Sequence, residues 1–238
     1  MLMKAFTMSY DDGVFQDRRL VHLMNKYGIK ATFNLNSGLI QKSEPDKRWT
    51  EERPMRFTRN RIPSVRMIAD DLPELYRGHE VAIHGVAHIN LEEVDKKATE
   101  IELIDDKTAL SKLFGYDIEG GAFAYGRTNE FAPDVLKQAG IKYCRACGTT
   151  GNFDPWEDMY FYNGTAHHAD EKLFDLAEQF INLKADKPQI FYVWGHSYEF
   201  DYEEAMWERI EKFFKLISGH DDILYGTNIE VFKHFNLV

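Results

Sequence analysis

The sequence predicts an α/β fold in which parallel strands alternate with outer helices. Two observations support this prediction. Short segments rich in apolar and β-branched residues alternate along the chain with longer segments of helical periodicity. Residues 189–194 are apolar almost throughout, which is typical of a strand buried on both faces of a parallel sheet. The alternation fits a barrel and an open doubly wound sheet, so periodicity leaves both open.

Each element follows from its local pattern. Residues 4–10 are β-branched, aromatic and apolar, residues 29–36 alternate, and residues 80–83 and 121–125 are short apolar runs, so each predicts a strand. Residues 14–27 and 91–113 have apolar side chains at helical spacing, and the second segment carries the many charges of an exposed amphipathic helix. The other predicted strands are 141–144, 189–194 and 223–225, and the other helices are 67–76, a helix ending at Gly140, 172–183, 202–217 and 229–235.

Length and composition limit the classes of protein to consider. The 238 residues lie within the size range of one α/β barrel, so we predict one domain. No apolar run approaches the roughly 20 residues that span a bilayer, and membrane insertion is not expected. The formal net charge of -10 disfavours nucleic acid as a partner, because such binding needs basic surface. The first residues enter a strand without a signal-peptide pattern, which predicts a cytoplasmic protein.

Residues 40–62 interrupt the strand–helix alternation. They show no clear periodicity, and their lysines and arginines are interleaved with Trp49 and Phe57. A connection this long is usually functional or partly disordered. Its basic charge is opposite to that of the whole chain. We therefore predict an ordered flap that serves as a lid or as a contact between copies of the chain in a homo-oligomer.

The two cysteines are Cys144 and Cys147, spaced as Cys-Arg-Ala-Cys. This spacing suggests a redox pair or half of a zinc site. A structural zinc site would need two further ligands at similar spacing, and the sequence has no second Cys-x-x-Cys. We interpret both as ordinary buried thiols.

Polar residues follow three of the predicted strands at their carboxyl ends. Asp11-Asp12-Gly13 follows the first strand, His84 and His88 follow the third, and His196 follows the segment 189–194. An Asp-Asp-Gly sequence alone is often only a solvated turn. In an α/β barrel, however, the carboxyl ends share one rim, and a turn at Gly13 would bring both acids into one pocket.

These residue types suit a catalytic metal. Two neutral imidazoles and one carboxylate leave a fourth position open, as in catalytic zinc sites, whereas structural sites are closed. A bound divalent cation lowers the pKa of a water molecule to about 7, so the second aspartate is available as a base. A His-x-x-x-His sequence alone is weak evidence for a metal site. The evidence is stronger here because both histidines are predicted at the same rim as the two aspartates.

The chain resembles the polysaccharide deacetylase family, also called the NodB-homology family, over nearly its full length. Ser9-Tyr10-Asp11-Asp12-Gly13 resembles the Thr-Phe-Asp-Asp motif of the family, the segment from Gly78 to His88 resembles its His-x-x-x-His motif, and residues 191–196 resemble its last motif. The resemblance implies a distorted (β/α) barrel of about seven parallel strands with outer helices, and one catalytic domain over residues 1–238. It also implies that Asp11 is the base, that Asp12, His84 and His88 bind the metal, and that His196 is the acid.

The third family motif is altered. The family has an arginine that orients the base, followed by Pro-Tyr, whereas this chain reads Phe-Ala-Tyr-Gly-Arg over residues 123–127. Tyr125 and Arg127 are the candidate substitutes and candidate substrate-binding residues, together with His167. His79 is interpreted as structural. Residues 154–158 match the fourth family motif only in part, so we assign no functional role to Asp154 or Asp158.

The resemblance implies a hydrolase that removes N-acetyl groups from an amino-sugar-containing carbohydrate, with one divalent transition metal. Zinc is the expected metal, and cobalt, nickel and iron suit the same ligands. Two alternatives stay open. One is a hydrolase of a small non-sugar amide or cyclic imide. The other is a catalytically silent carbohydrate-binding homologue, because fold alone does not fix function.

Overall fold

The computed structural model describes residues 2–42 and 65–238. In this part of the chain, nine strands form one sheet with helices outside it, and the predicted α/β fold is confirmed. The strands are β1 (Lys4–Asp11), β2 (Thr32–Leu35), β3 (Glu80–Ile83), β4 (Gly120–Ala122), β5 (Tyr143–Thr149), β6 (Tyr162–Gly164), β7 (Ala166–His167), β8 (Gln189–Gly195) and β9 (Ile223–Tyr225). The helices are α1 (Asp17–Lys26), α2 (Leu72–Leu75), α3 (Lys96–Glu100), α4 (Asp106–Phe114), α5 (Ala132–Ala139), α6 (Leu173–Asn182), α7 (Glu204–Ile217) and α8 (Asn228–His234).

The order of the strands supports a distorted barrel. Neighbouring strands are parallel in the order β6-β5-β4-β3-β2-β1-β8-β7, and β9 pairs with the first residues of β1. The two end strands are joined by Thr165, so residues 162–164 pair with β5 while residues 166–167 pair with β8. Because the ends of the sheet are consecutive in the chain, the sheet curves round on itself. The sheet agrees with the predicted distorted barrel, although among the described strands no pairing between β6 and β7 closes it.

The centre of the sheet is buried on both faces. Every residue of β1 and β8 is buried, as predicted for the apolar segment 189–194. Phe6 of β1 packs edge-on against Phe191 of β8, and Phe213 of α7 packs against both rings. Burial of one such side chain stabilises the fold by about 1.5–3 kcal/mol. This packing fixes the carboxyl ends of β1 and β8 side by side, where Asp11 and His196 lie.

Several predicted elements differ from the structure. The predicted helix 67–76 is a 3-10 turn over Ala69–Asp71 followed by α2, and the predicted strand 121–125 is limited to β4. The predicted helix 91–113 is broken into α3, a π-helical turn over Ile101–Asp105 and α4, and it buries Glu102 and Asp106. The predicted strand 141–144 starts later and runs on to Thr149. Strands β6 and β7 were not predicted, because residues 162–167 include Asn, Gly and Thr and lack an apolar alternation. Their pairing depends on the strands beside them, which local propensity does not contain.

The predicted flap at residues 40–62 lies outside the described residues from position 43 onward. Next to this segment, Gln41 forms a parallel bridge with Ile68, and Arg66 forms an antiparallel bridge with Val14. The assignment of residues 1–238 to one catalytic domain stays a prediction. Among the described helices, none is long and apolar enough to cross a membrane.

Glu80 makes the stability of the fold depend on pH. Its carboxylate accepts hydrogen bonds from Thr32, Tyr143 and the backbone N–H of Ile229, and burial raises its pKa from 4.5 to about 7. Between these values the folded chain binds more protons than the unfolded chain, so this group's contribution to stability falls as pH rises. The slope reaches about 1.4 kcal/mol per pH unit.

We therefore expect the wild-type protein to lose stability relative to Glu80→Gln as pH rises from 5 to 7.5. The amide does not titrate, so the difference between the two proteins isolates Glu80. The measurement is urea unfolding of both proteins across this range. If the difference in the free energy of unfolding between the two proteins did not change with pH, Glu80 would have the same pKa in the folded and unfolded states.

Candidate active site

The two adjacent aspartates enter one cavity through a backbone reversal after β1. Asp11 is the last residue of β1, and the next residues, Asp12 and Gly13, have φ values of 85° and 61°. A Cβ atom at Gly13 would lie 2.7 Å from Leu35 Cδ2, so both conformation and space favour glycine. The turn predicted at Gly13 is present, and both acids line the cavity.

Asp12, His84 and His88 form a group that can hold a metal ion. Their ligand atoms lie within 4.8 Å of one another. The Nδ1 atom of His84 lies 2.8 Å from the carbonyl oxygen of Ala122, so this nitrogen carries the proton and Nε2 has a free lone pair. His84 Nε2 and Asp12 Oδ1 are buried without a hydrogen-bond partner. A histidine whose second nitrogen donates to a carbonyl is typical of metal sites, so these residues fit a metal.

The charge states of these residues also suit a cation. Burial lowers the pKa of His88 to about 4 and lowers that of His84, so both imidazoles are neutral at pH 7. Burial alone would raise the pKa of Asp12, but Arg66 and the neighbouring histidines hold it well below its usual range. The Arg66 guanidinium lies 2.8 Å from Asp12 Oδ1, outside hydrogen-bond geometry. Asp12 is therefore an ionised ligand.

Two carboxylates of the π-helical region hold the loop that carries the histidines. The backbone N–H of His84 donates to Asp106 at 2.9 Å, and that of Ala87 donates to Glu102 at 3.0 Å. A π-helical turn often marks a functional site, because the extra residue re-aims its neighbours. Neither residue was predicted to be functional, because helical periodicity indicated an exposed amphipathic helix.

Asp11 is held by Arg145, which the sequence analysis also missed. Arg145 is fully buried on β5 and donates to Asp11 Oδ2, while Asn34 donates to Asp11 Oδ1 at 2.7 Å. Burial would raise the pKa of Asp11, but Arg145, His84 and His196 together lower it below its usual value. The sequence feature that could have indicated this role is the position of Arg145 inside the apolar segment around Cys144, where a charged side chain needs a partner. Arg145 pairs in register with Ala122 of β4, so an arginine reaches the base from the strand beside the altered motif.

His196 lies between two carboxylates. Its Nε2 atom is 3.7 Å from Asp11 Oδ2, and its Nδ1 atom is 3.4 Å from Oε1 of Glu199. Burial lowers the pKa of His196, but Glu199 and Asp11 outweigh it and raise the pKa to about 9. His196 is therefore an imidazolium at neutral pH, which is the protonated form that a general acid needs.

The cavity has a volume of about 220 Å³. It is lined by Asp11, Asp12, Arg66, His84, His88, Tyr125, Cys147, Trp194, His196 and Tyr198. The described structure thus brings together the two acids and three histidines that follow separate strands in the sequence. Tyr125, Trp194 and Tyr198 add aromatic surface to the acidic and basic groups.

Of the remaining residues singled out in the sequence, some line the cavity and others lie outside it. Tyr125 lines the cavity, whereas Arg127 lies at the surface, 3.4 Å from Glu92, and is not a lining residue. Arg127 pairs with Glu92 at the surface, and its role as a substitute for the family arginine stays a prediction. His167 lies on β7, and its Nε2 atom is 3.2 Å from Glu199. His79 accepts a hydrogen bond from the backbone of Ala31, in agreement with a structural role.

The two cysteines are both free thiols. Cys144 is buried, as predicted. Cys147 is half-buried and lines the cavity, because residues beyond Cys144 continue β5 toward the rim.

Unusual backbone conformations cluster at this cavity. Among the described non-glycine residues, positive φ occurs at Asp12, His88, Tyr125 and Asn236, and the first three line the cavity. A non-glycine residue in this region costs of order 1 kcal/mol or more and persists where surrounding structure enforces it. The strain therefore coincides with the candidate site.

Comparison with protein families agrees with the geometry. The family model described as polysaccharide deacetylase matches residues 3–144. The chain belongs to the polysaccharide deacetylase family. The matched segment carries Asp11, Asp12, His84 and His88, while Arg145 and His196 lie beyond it. No curated protein matches the chain.

Solved structures show the same fold at low sequence identity. A family 4 carbohydrate esterase from Streptomyces lividans, in complex with acetate, is 12% identical with a TM-score of 0.55, covering 95% of this chain and 93% of that one. A CE4 family pseudoenzyme from Bacillus anthracis is 16% identical with a TM-score of 0.54, covering 96% and 65%. A 4-alpha-glucanotransferase from Thermococcus litoralis is 18% identical with a TM-score of 0.65, covering 99% and 41%.

These structural matches establish the fold of the chain, but they do not show which reaction it catalyses. The chain spans 55% of a Streptococcus pyogenes deacetylase chain and 65% of the Bacillus anthracis chain. A carbohydrate esterase, a pseudoenzyme and a glucanotransferase all occur among structures of this fold. The fold alone therefore does not determine the reaction, which depends on the residues of this cavity.

Proposed function

We propose that this protein is a metal-dependent hydrolase that removes N-acetyl groups from an amino-sugar-containing carbohydrate. One observation carries the proposal. Two neutral imidazoles and one carboxylate that can hold a metal lie in the same cavity as an ionised aspartate and a protonated histidine. Family membership supports this assignment.

Asp12, His84 and His88 would hold the metal. A divalent cation there would supply Lewis acidity and lower the pKa of a water molecule, which favours attack on an amide carbonyl. Zinc suits two imidazoles and one carboxylate, and cobalt, nickel or iron suit the same ligands. The free lone pair of His84 and the ionised state of Asp12 support this role.

Asp11 and His196 divide the proton transfers. Asp11 is ionised and rigidly held by Arg145, so it can accept the proton of the attacking water. A new carbon–oxygen bond forms, and the carbon–nitrogen bond then breaks. His196 donates its Nε2 proton to the departing nitrogen, because an unprotonated amide anion leaves very poorly. Acetate and a free amine result.

The walls of the cavity suit a small ring. A volume of about 220 Å³ and three aromatic side chains can surround one sugar residue, while the open mouth leaves room for a longer chain. The same volume also suits a small cyclic imide or non-sugar amide, which is the second candidate substrate. A matched panel of N-acetylated sugars and small imides, assayed with zinc-loaded protein, separates the two candidates by which class is hydrolysed.

The test of the proposed function is Asp11→Asn. We expect kcat on an N-acetylated sugar to fall by about 10²–10⁴-fold, because the amide cannot accept the proton. Asp154→Asn is the matched control, since Asp154 is a surface acid paired with Lys187. Metal content and thermal stability are measured for both variants. Unchanged amide hydrolysis in metal-loaded Asp11→Asn would overturn the proposal, and ligand binding without turnover in the wild type would favour the silent homologue.

A further inference from the structure

A second cluster of histidines surrounds Glu199, outside the candidate metal group. Glu199 follows His196 by three residues in the short 3-10 helix Ser197–Tyr202. Its Oε2 atom lies 2.9 Å from His168 Nε2 and 3.2 Å from His167 Nε2, and its Oε1 atom lies 3.4 Å from His196 Nδ1. The backbone N–H of His196 also donates to Oε2, at 3.3 Å. Three imidazoles thus converge on one carboxylate.

The proton position on His167 distinguishes this histidine from a metal ligand. His167 Nδ1 accepts a hydrogen bond from the backbone N–H of Ala169 at 3.2 Å, so its proton is on Nε2 and faces Glu199. A neutral histidine with that tautomer has no lone pair on Nε2 to give to a metal. At His84 the pattern is reversed, because Nδ1 faces a carbonyl oxygen. His167 therefore presents a donor to Glu199, and His168 Nε2 faces the same carboxylate oxygen at 2.9 Å.

Packing fixes the position of the His168 ring. The His168 ring is fully buried and stacks between Tyr10 and Phe200, with ring centroids 5.6 Å and 4.4 Å apart. A Cβ atom at residue 195 would lie 2.1 Å from His168 Nδ1, so Gly195 is required for this ring to sit beside β8. His167 and His168 thereby engage Oε2 of Glu199, and Oε1 is left for His196.

We propose that Glu199, anchored by His167 and His168, is the positioning residue that holds His196 in its proton-donating orientation. This inference rests on the proposed function. The negative charge of Glu199, 3.4 Å from Nδ1 of His196, favours a proton on that nitrogen, and the Nε2–H then faces the cavity and Asp11. It also balances the charge of the imidazolium. Three rings also lie near the His196 ring, with Tyr198 at 5.1 Å, Trp194 at 6.3 Å and His167 at 6.5 Å between centroids.

The experiment compares Glu199→Gln with the wild type on two substrates. One is an N-acetylated sugar, whose amine must be protonated to leave, and the other is p-nitrophenyl acetate, whose phenolate leaves without a proton. We expect kcat on the amide to fall by about 10²-fold with a nearly unchanged KM, and kcat on the ester to fall only a few-fold. His196→Gln should give the same pattern. Glu203→Gln, an exposed glutamate nearby, is the matched control.

A spectroscopic measurement keeps the inference testable apart from activity. In ¹⁵N NMR of the histidine side chains, His196 should carry its proton on Nδ1 when neutral, and its titration midpoint should move down in Glu199→Gln. Failure of the wild type to hydrolyse either substrate would refute the proposed function while this measurement still tests the pairing. Equal losses on amide and ester, or an unchanged His196 signal, would overturn the positioning role. A second zinc equivalent that is lost in His168→Asn would overturn the donor assignment.

Discussion

Replacing Arg145 with methionine is expected to lower the free energy of unfolding by about 3–5 kcal/mol, because it leaves the buried Asp11 carboxylate without its cation. Arg145 is fully buried, donates to Asp11 and lies 4.7 Å from the ring of Trp194. Methionine keeps much of the volume and removes the charge. The measurement is urea unfolding, together with the rate of amide hydrolysis, which should also fall because Asp11 loses the group that orients it.

A double-mutant cycle separates the ion pair from the packing. Asp11→Asn with Arg145→Met removes both charges, so the double variant should be more stable than Arg145→Met alone. Arg127→Met is the matched control for stability. Arg127 is exposed and pairs with Glu92 at the surface, so its loss should cost less than about 1 kcal/mol. Equal destabilisation by the two arginine substitutions would contradict the assignment of Arg145 as the buried partner of Asp11.

Replacing His84 with alanine is expected to abolish stoichiometric metal binding. His84 offers the buried Nε2 lone pair of the candidate metal group, and a missing ligand leaves two of three protein contacts. Elemental analysis after dialysis against metal-free buffer should find about one transition metal per wild-type chain and none in the variant. Zinc should also raise the melting temperature of the wild type, since a ligand at 100 times its Kd stabilises by about 2.7 kcal/mol.

His79→Ala is the matched control for this experiment. His79 is a mostly buried histidine near the start of β3, and it contacts Ala31 and Asn25 instead of the cavity. Its loss should destabilise the fold while metal content stays the same. Zinc that stabilises His84→Ala as much as the wild type would place the metal elsewhere. A wild type that stays metal-free after zinc reloading would favour the silent carbohydrate-binding homologue.

Much of the candidate site was predictable because its residues follow recognisable strands. Asp11, Asp12, His84, His88 and His196 each come directly after or close to an apolar segment, and carboxyl ends of parallel strands meet at one rim. Gly13 signalled the turn that brings the two acids together. The sequence by itself therefore determined the strand–helix alternation, the rim and the five groups on it.

Only the tertiary structure decided how these groups are paired. Arg145 reaches Asp11 across 134 positions of the chain, and Glu102 reaches the loop after β3 through a π-helical turn that periodicity does not reveal. The barrel itself depends on residues 162–167, whose loop-like sequence becomes strand because β5 and β8 lie on either side. Charge partners and strand neighbours are set by long-range packing, and local patterns in a sequence carry no record of which distant segment will lie alongside.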